Sequence, residues 1–418
     1  MFGLANTHCL ELILLFALDI IPIDMKISDF LNHISEEDLV SIVSKYGYDE
    51  NKATIDSIIM QTASNNMLGF LSDYWKLKVH ISTREGENKI LHFFIKAVSK
   101  SNIAKAKMVR EMKLFQKEIF FYSVLKEKMD VQGLQPWSAR FITAFNEIIV
   151  FEDLGALQYR SCNKFDRFDT LHTLRALESL ARFHASSIIL EENKSKVLGR
   201  EYLIQEEFHQ FLDRGGYVDT DIWFLQCMTG ALEVIKAFSK YGSDEHLQNI
   251  TSKWKYIWTR ALSLSNASKE HRNVICHRDL WNNNILFHYE MVGDTLLPDD
   301  CVMVDFQAVR CQPPAGDVML LLYCNLNPNF REQNMICFLN HYYEHLKTIL
   351  GNNNISIENI MSKTQFMESA EEQRLWALIV LTIGPQLYFN CIPNKSHSIF
   401  LFECVYFLKS YSSSQHLQ

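Results

Sequence analysis

The stretch His277-Arg278-Asp279-Leu280-Trp281-Asn282-Asn283-Asn284 lies between two short apolar runs and has the pattern H-x-D-L-x-x-x-N. Asp305 follows the next apolar run, in the sequence Val304-Asp305-Phe306-Gln307. Phosphoryl transfer needs a carboxylate that orients and deprotonates the attacking hydroxyl, and it needs oxygen ligands for magnesium. Asp279 suits the first task, and Asn284 and Asp305 suit the second. The pattern therefore predicts a site of phosphoryl transfer.

A single H-x-D match occurs often by chance in a hydrogen-bonded loop. Here the loop, an Asn five residues after Asp279 and an Asp at the end of the following strand occur together, which argues against chance. We expect His277 to hold the loop through hydrogen bonds of its ring rather than to take part in the chemistry.

Before Gly155 the sequence pattern predicts both strands and helices, whereas most of the rest of the chain is predicted to be helical. Alternation of apolar and polar residues predicts a hairpin, and a second strand pair follows a long amphipathic helix. After Gly155 the pattern becomes helical, except for short apolar runs at 273–307. The predicted elements before Gly155 are a helical region at 29–60 with caps at Ser28 and Ser35, strands at 74–81 and 89–98, a helix at 104–128, and strands at 141–145 and 148–151.

Lys96 and Glu118 are predicted to form an ion pair. Lys96 lies in the second hairpin strand, and Glu118 lies on the apolar stripe of the helix at 104–128. A carboxylate on an inward-facing stripe is costly unless it is paired. The alternative is that Lys96 is exposed and Glu118 reaches solvent, with no ion pair between them. Residues 65–72, which contain one glycine, are a candidate loop over phosphates.

Composition limits the classes of partner and compartment. The net charge of −8 argues against a nucleic-acid binder. The ten cysteines are scattered without a metal-binding or disulfide pattern, which favours reduced thiols and a cytoplasmic protein. The apolar run at 10–23 is too short to span a bilayer and is interrupted by Glu11 and Asp19, so we expect no stable membrane span. A dispensable leader at 1–24 is preferred over a packed helix or a signal.

These motifs together resemble the protein-kinase-like fold, and most closely the ecdysteroid-kinase-like (CHK-kinase-like) family of small-molecule kinases, which is related to choline and aminoglycoside kinases. The similarity runs from about residue 28 to residue 410. The segments that carry it are His277 to Ile285, Asp305-Phe306-Gln307, Phe151-Glu152-Asp153-Leu154, Leu180 to Ala185, and Pro314 to Asp317.

The resemblance implies an α+β, bilobal fold. A small N-lobe with an antiparallel sheet plus one helix would occupy 25–153, and a larger, mainly helical C-lobe with the catalytic loop and metal site would occupy 154–418. It also implies an ATP- and Mg²⁺-dependent enzyme that phosphorylates a hydroxyl of a small molecule. The implied roles are Asp279 as base, Asn284 and Asp305 as magnesium ligands, Lys96 on the phosphates and Glu118 as its partner. The backbone of the stretch 151–154, which includes Glu152, Asp153 and Leu154, would contact the adenine, and His277 and Asp317 would give structural support.

The chain departs from the family pattern at three places. Arg278 stands where this family usually has Gly, Gln307 replaces the Gly of the protein-kinase D-F-G motif, and the candidate phosphate loop is poor in glycine. A protein kinase is disfavoured, because only seven residues separate Asp305 from the Pro313-Pro314 pair and no A-P-E motif follows. A catalytically inactive nucleotide-binding protein of the same fold is the alternative to an enzyme.

Aromatic residues crowd two stretches of the helical half, at 223–258 and 376–389. They are either a helical core or an apolar wall for a steroid-like or xenobiotic alcohol. Neither stretch has the acidic cluster that a quaternary ammonium group would need, so an apolar alcohol is preferred over choline. The sequence names neither the acceptor, nor its reacting hydroxyl, nor the oligomeric state.

Overall fold

A computed structural model describes residues 34–63, 72–100, 102–163, 166–213, 222–238 and 244–388. The predicted leader at 1–24, the cap at Ser28 and almost all of the candidate phosphate loop at 65–72 lie outside these residues. Across the described ranges, no helix combines the length and the apolarity that crossing a bilayer requires.

Among the described residues of the first half, an antiparallel sheet is preceded by one helix and has two helices after its third strand. The strand order is β1-β2-β3-β5-β4. The elements are α1 Glu36–Tyr46, β1 Ala53–Thr62, β2 Ser72–Thr83, β3 Asn88–Val98, α2 Ile103–Glu111, α3 Leu114–Phe120, β4 Phe141–Phe145 and β5 Ile148–Glu152. A π-helical turn at Phe121–Leu125 and a short helix at Lys126–Lys128 continue α3.

The second half is mainly helical around two small strand pairs. β6 pairs with β9, and β7 pairs with β8, both antiparallel. The elements are α4 Thr170–Leu198, α5 Ile204–Leu212, α6 Ile222–Phe238, α7 Asp244–Leu264, β6 Val274–Cys276, β7 Ile285–Val292, β8 Thr295–Met303, β9 Arg310–Gln312, α8 Pro314–Asn325, α9 Pro328–Asn352 and α10 Lys363–Tyr388, with 3-10 turns at Asn282–Asn284, Phe306–Ala308 and Ile357–Asn359. The fold is α+β, as predicted.

The two faces of β3 pack against different parts of the protein. Leu91, Phe93 and Ile95 point to one face and pack in the core between the sheet and α1. Residues at even positions point to the other face, where Phe94 packs against the large core that includes α3 and α4. Because side chains alternate along a strand, Lys96 lies on the same face as Phe94 and is directed toward α3.

The prediction of a helical region at 29–60 is wrong for its second half. Ser35 does cap α1 through a capping box with Asp38, and Gly47 ends the helix with a φ of 130°. Residues 53–62, however, form β1, which pairs with β2 and contains a register shift between Ile55 and Ser57. The bulge interrupts the period-two alternation by which a strand is recognised in sequence.

The predicted helix at 104–128 is interrupted. Lys113 adopts a left-handed conformation with a φ of 55° and separates α2 from α3. The hairpin of β2 and β3, the pair of β4 and β5, and the apolar runs around the H-x-D loop form strands as predicted.

Gly316, in the first turn of α8, is expected to tolerate no side chain. A Cβ there would lie 2.4 Å from Nε2 of Gln312. This amide cannot easily move, because it donates to the Leu264 carbonyl at 3.1 Å and to Gln373 Oε1 at 2.9 Å. We expect Gly316→Ala to lower the free energy of unfolding by about 1–3 kcal/mol, as other overpacked cores do. Denaturant titration would measure the change.

Gly351→Ala in α9 is the matched control for this substitution. A Cβ at Gly351 would meet no atom within 4 Å. Alanine in a helix is favoured over glycine by up to about 1 kcal/mol, so the control is expected to be neutral or stabilising. Equal stability of the two variants would contradict the packing account of Gly316.

Candidate active site

Lys96, Glu118 and Asp305 form a buried ion-pair triad. The Lys96 Nζ lies 2.5 Å from Glu118 Oε2 and 2.7 Å from Asp305 Oδ1. β3, α3 and the segment that follows β8 thus contribute one charge each. The side chains of Lys96 and Glu118 are 4% and 1% exposed, whereas that of Asp305 is 19% exposed. Asp305 therefore lies at the open edge of the triad.

Burial and charge set the protonation of this triad. Burial raises the pKa of Glu118 to about 7, while the ammonium of Lys96 acts in the opposite direction. Burial alone would lower the pKa of Lys96, but the carboxylates of Asp305 and Glu118 outweigh it and raise this pKa above the ordinary value. Lys96 is therefore a permanent cation, held where it can meet an anionic ligand.

The ring of His277 has a single tautomer and holds the H-x-D loop in place. Its Nε2 donates to the Val304 carbonyl at 2.9 Å, and its Nδ1 accepts from the Asp279 N–H at 3.2 Å. Burial lowers the pKa of His277, so the neutral ring is favoured. Both ring nitrogens are used in these contacts, and the role of His277 as structural support stays a prediction.

Asp317, at the start of α8, supports the same loop from the other side. Its carboxylate accepts the backbone N–H of His277 at 2.5 Å and that of Arg278 at 2.8 Å. His184 of α4 lies 3.2 Å from the same carboxylate and 2.7 Å from the hydroxyl of Tyr342. A buried carboxylate needs such partners to remain stable. His184 is thus part of the support of the loop.

Asp279 and Asn284 face each other across the loop. The Asn284 Nδ2 donates to the Asp279 carbonyl and to its Oδ2, both at 2.9 Å. Burial and, to a smaller extent, the nearby charge of Asp305 together raise the pKa of Asp279 to about 7. A carboxyl group whose pKa lies near neutrality is well matched to general acid–base chemistry.

The donor atoms around Asp305 suit a divalent cation with oxygen ligands. The Asn284 amide nitrogen faces Asp279, so the amide oxygen is free to face the opposite direction. Asp305 has one carboxylate oxygen beside Lys96 and a second one available. The charge of Asp305 raises the pKa of Asp279, and this is the kind of repulsion that a bound cation relieves. Carboxylate and amide oxygens are ligands that Mg²⁺ accepts.

Two residues of the site have a left-handed backbone. Arg278 has a φ of 69° and Asp305 a φ of 68°. Such a conformation costs about 1–2 kcal/mol for a residue with a Cβ, and strained residues often lie at functional sites. The glycine that the family usually has at position 278 would adopt this conformation without strain. Arg278 therefore holds this backbone conformation at an energetic cost.

Comparison with known proteins agrees with this geometry. The family model described as the ecdysteroid kinase-like family matches residues 67–354, which is more than half of the chain. The chain belongs to the ecdysteroid kinase-like family. The resemblance read from the sequence is thereby confirmed. No curated protein matches the chain.

Solved structures of small-molecule phosphotransferases also match, at low identity. An ethanolamine kinase from Plasmodium vivax matches with a TM-score of 0.42 and 12% identity, over 96% of this chain and 94% of that one. A mutant aminoglycoside 2'-phosphotransferase-IIIa with GDP matches with a TM-score of 0.36 and 10% identity, over 91% and 98%. A choline/ethanolamine kinase family protein from Mesorhizobium loti matches with a TM-score of 0.33 and 10% identity, over 82% and 91%.

Phe306 anchors the D-F-Q segment of this ecdysteroid kinase-like protein. Its ring is fully buried and stacks on Phe121 in the π-helical turn after α3, with centroids 4.4 Å apart. It also contacts the ring of His277 at 4.5 Å. Because Phe306 touches both the α3 extension and the catalytic loop, it fixes the position of the neighbouring Asp305 relative to Lys96.

The side chains at the end of β5 and in the connector after it are engaged by other protein groups. Glu152 accepts from the hydroxyl of Tyr46 at 2.9 Å. Asp153 accepts from the Gly155 N–H at 2.9 Å and pairs with Lys76 at 3.1 Å. Leu154 is half-buried against the large core. The adenine contacts implied for this stretch are contacts of its backbone, and they stay a prediction.

Two hydrogen bonds that support the H-x-D loop were not predicted from the sequence. The Asn325 Nδ2, at the end of α8, donates to the Leu280 carbonyl at 2.7 Å. The Asn282 Nδ2 donates to the Asn163 carbonyl at 2.7 Å. The repeated asparagines at 282–284 were a signal for the second contact, whereas nothing in the local pattern indicated the first, which spans 45 residues.

The aromatic residues at 223–258 mainly fill a core. Phe224, Trp254 and Trp258 are buried between α6, α7 and α10, and the ring of Trp254 donates to the Met228 carbonyl at 2.8 Å. Trp376 is also fully buried. Among the described side chains, the interpretation as a helical core is therefore favoured over that of an open apolar wall.

Proposed function

We propose that this protein is an ATP-dependent kinase that transfers the terminal phosphoryl group of ATP to a hydroxyl of a small molecule. The observation that carries the proposal is the convergence of Lys96, Asp279, Asn284 and Asp305 on one site from three separated parts of the chain. Membership of a kinase-like family agrees with this assignment.

Each of these side chains has a separate role in the proposed phosphoryl transfer. Lys96, held by Glu118, stabilises the phosphates, and Asn284 and Asp305 hold magnesium, which when bound neutralises charge on the phosphates. Asp279 orients the acceptor hydroxyl and accepts its proton. Since its pKa is raised to about 7 by burial, Asp279 can both take up and release a proton near neutral pH.

We further propose that the acceptor is an apolar alcohol, of the steroid-like class that the family description indicates. The aromatic stretches of the helical half lack an acidic cluster for a quaternary ammonium group. The described cysteines are free thiols, which suits a reducing compartment such as the cytoplasm.

A panel of purified alcohols tests the acceptor class. ADP release would be measured with polyhydroxylated steroids, choline, ethanolamine and an aminoglycoside, each with ATP and Mg²⁺. We expect the steroid class to give the highest kcat/KM. Choline or the aminoglycoside as the best acceptor would overturn the acceptor class while preserving the kinase assignment.

The same experiment separates an enzyme from an inactive nucleotide-binding protein. ATP with Mg²⁺ is expected to raise the melting temperature in either case, because a ligand that binds only the folded state stabilises it. If ATP with Mg²⁺ stabilises the chain but no acceptor stimulates ADP release, the inactive alternative replaces the proposal.

A further inference from the structure

A cysteine, a tyrosine, a histidine and an aspartate meet where the start of α4 packs on β7. The Cys162 Sγ lies 3.7 Å from the hydroxyl of Tyr289, and this hydroxyl lies 3.1 Å from Nε2 of His172. The Nδ1 of His172 lies 2.8 Å from Oδ1 of Asp169, the residue that caps α4. We call these four residues the Cys162 cluster; none of them has a role in the proposed phosphoryl transfer.

The hydrogen bonds of the Cys162 cluster run in one direction. An ionised carboxylate only accepts, so the Nδ1 of His172 carries the proton beside Asp169 and the Nε2 keeps a free electron pair. This Nε2 accepts from the hydroxyl of Tyr289, and the oxygen of that hydroxyl accepts in turn from the thiol of Cys162. The thiol proton is therefore two hydrogen bonds away from an imidazole nitrogen that can take it up.

The two groups between the thiol and the carboxylate suit such a proton transfer. Burial acts to lower the pKa of His172, but its contacts with Cys162 and Asp169 outweigh burial and raise this pKa above the ordinary value. Burial and the contact with Cys162 raise the pKa of Tyr289, so the phenol accepts one proton and gives up another without becoming an anion. His172 is thus the member of the cluster that can hold the additional proton.

The surroundings of Cys162 also favour a negatively charged sulfur. The guanidinium of Arg160 lies over the ring of Tyr289, with its central carbon 4.4 Å from the ring centroid. The opposing carboxylate of Asp169 is 66% exposed, so solvent screens its charge. Reactive cysteines lie in such electropositive, partly exposed places. Cys162 is half-buried and the residues on either side of it are exposed, which leaves the sulfur within reach of a small reagent.

We propose that Cys162 is a nucleophilic thiol that hydroperoxides oxidise to a sulfenic acid, with His172 as its base. The sulfur attacks one oxygen of the hydroperoxide, and the O–O bond breaks as the S–O bond forms. The proton held by His172 passes to the departing oxygen, so the products are the sulfenic acid and either water or an alcohol. A nucleophile, a base and a third group that orients the base are the parts of an activated nucleophile.

The position of Cys162 connects this site to the H-x-D loop. The carbonyl of the next residue, Asn163, accepts from the Asn282 Nδ2 at 2.7 Å. Arg160, two residues before Cys162, exchanges two backbone hydrogen bonds with Phe287 of β7, both at 2.9 Å. An oxygen added to the sulfur would therefore lie beside contacts that support the loop and the strand that follows it.

Residue-resolved mass spectrometry of the full chain tests the proposal. The native protein would be treated briefly with dilute hydrogen peroxide near neutral pH, the sulfenic acid would be trapped with dimedone, and the labelling of each cysteine would be followed over time. Cys337 on α9 is exposed and serves as the internal reference. We expect Cys162 to be labelled faster than Cys337 by about tenfold or more, although it is the less exposed thiol.

Substitution of the base identifies the cause of this reactivity. His172→Gln removes the basic nitrogen and is expected to lower the labelling rate of Cys162 by about tenfold or more. His341→Gln is the matched control, because His341 is a partly buried histidine that also contacts a carboxylate, Glu178, at 3.0 Å but lies on α9. Its labelling rate at Cys162 should equal that of the parent. If His172→Gln does not fold, Tyr289→Phe replaces it, because this change removes only the linking hydroxyl.

Two results would overturn the proposal. The first is labelling of Cys162 in the parent chain that is no faster than that of Cys337. The second is fast labelling of Cys162 that persists unchanged in the folded variant of His172 or, in its place, of Tyr289, because the thiol would then not depend on the cluster. Both measurements are independent of kinase activity.

Discussion

Asp279→Asn is expected to lower turnover by about 100- to 10,000-fold, the range that a positioned general base contributes. Affinity for ATP with Mg²⁺ should stay close to that of the parent, because Asp279 acts on the acceptor hydroxyl and not on the nucleotide. The substitution keeps the size of the side chain and an oxygen that accepts from Asn284 Nδ2. Steady-state kinetics and a thermal shift with ATP would measure the two effects separately.

Asp294→Asn is the control for this prediction. Asp294 is an exposed carboxylate in the turn between β7 and β8, so the same chemical change there should leave turnover unchanged. A loss of less than tenfold for Asp279→Asn would show that another group accepts the proton. A parallel loss of ATP affinity would show instead that the variant disturbs the nucleotide site.

Asp305→Asn is expected to abolish the magnesium-dependent part of ATP binding. The variant replaces a carboxylate by a neutral amide, and Asn284 alone is a weak ligand for a hard cation. For the parent at a ligand concentration 100 times Kd, ATP with Mg²⁺ should add about 2.7 kcal/mol of stability. The variant should lose this increment, measured as the shift of melting temperature with and without Mg²⁺.

Asp299→Asn on β8 is the matched control for the metal assignment. Asp299 forms a half-exposed contact with His288 at 2.8 Å and lies outside the site. Its response to ATP and Mg²⁺ should equal that of the parent. If Asp305→Asn is stabilised by ATP with Mg²⁺ as much as the parent, Asp305 does not bind the metal.

The contact between Lys96 and Glu118 was predictable because two simple periodicities decide it. Alternation along β3 directs Lys96 away from Phe93 and Ile95, and the helical stripe of α3 directs Glu118 inward. A buried carboxylate needs a cation, so the two were expected to meet. The position of Asp305 beside them followed from the chemistry of phosphoryl transfer rather than from any local pattern.

β1 was not predictable by the same reasoning. Its burial pattern is mostly exposed, and the bulge at Ile55–Ser57 disturbs the alternation. The apolar residues at 55, 58 and 59 are spaced as on a helix. Pairing with β2 overrides this local signal, because the hydrogen bonds and contacts of the sheet depend on residues 13 to 30 positions away.

The partners of Glu152 and Asp153 could not have been predicted from the sequence. Their place in the E-D-L motif did not reveal that Tyr46 and Lys76 engage their side chains, because both partners lie far away in the chain and only the fold brings them close.

Transfer of label from ATP tests the central claim most directly. ATP labelled in its terminal phosphoryl group would be incubated with the parent protein, Mg²⁺ and a pool of small apolar alcohols, and the products would be separated by chromatography. The account predicts a labelled phosphate ester that requires Mg²⁺ and is nearly absent with Asp279→Asn. Label that stays in ATP or appears only as inorganic phosphate, with every alcohol of the pool unmodified, would contradict it.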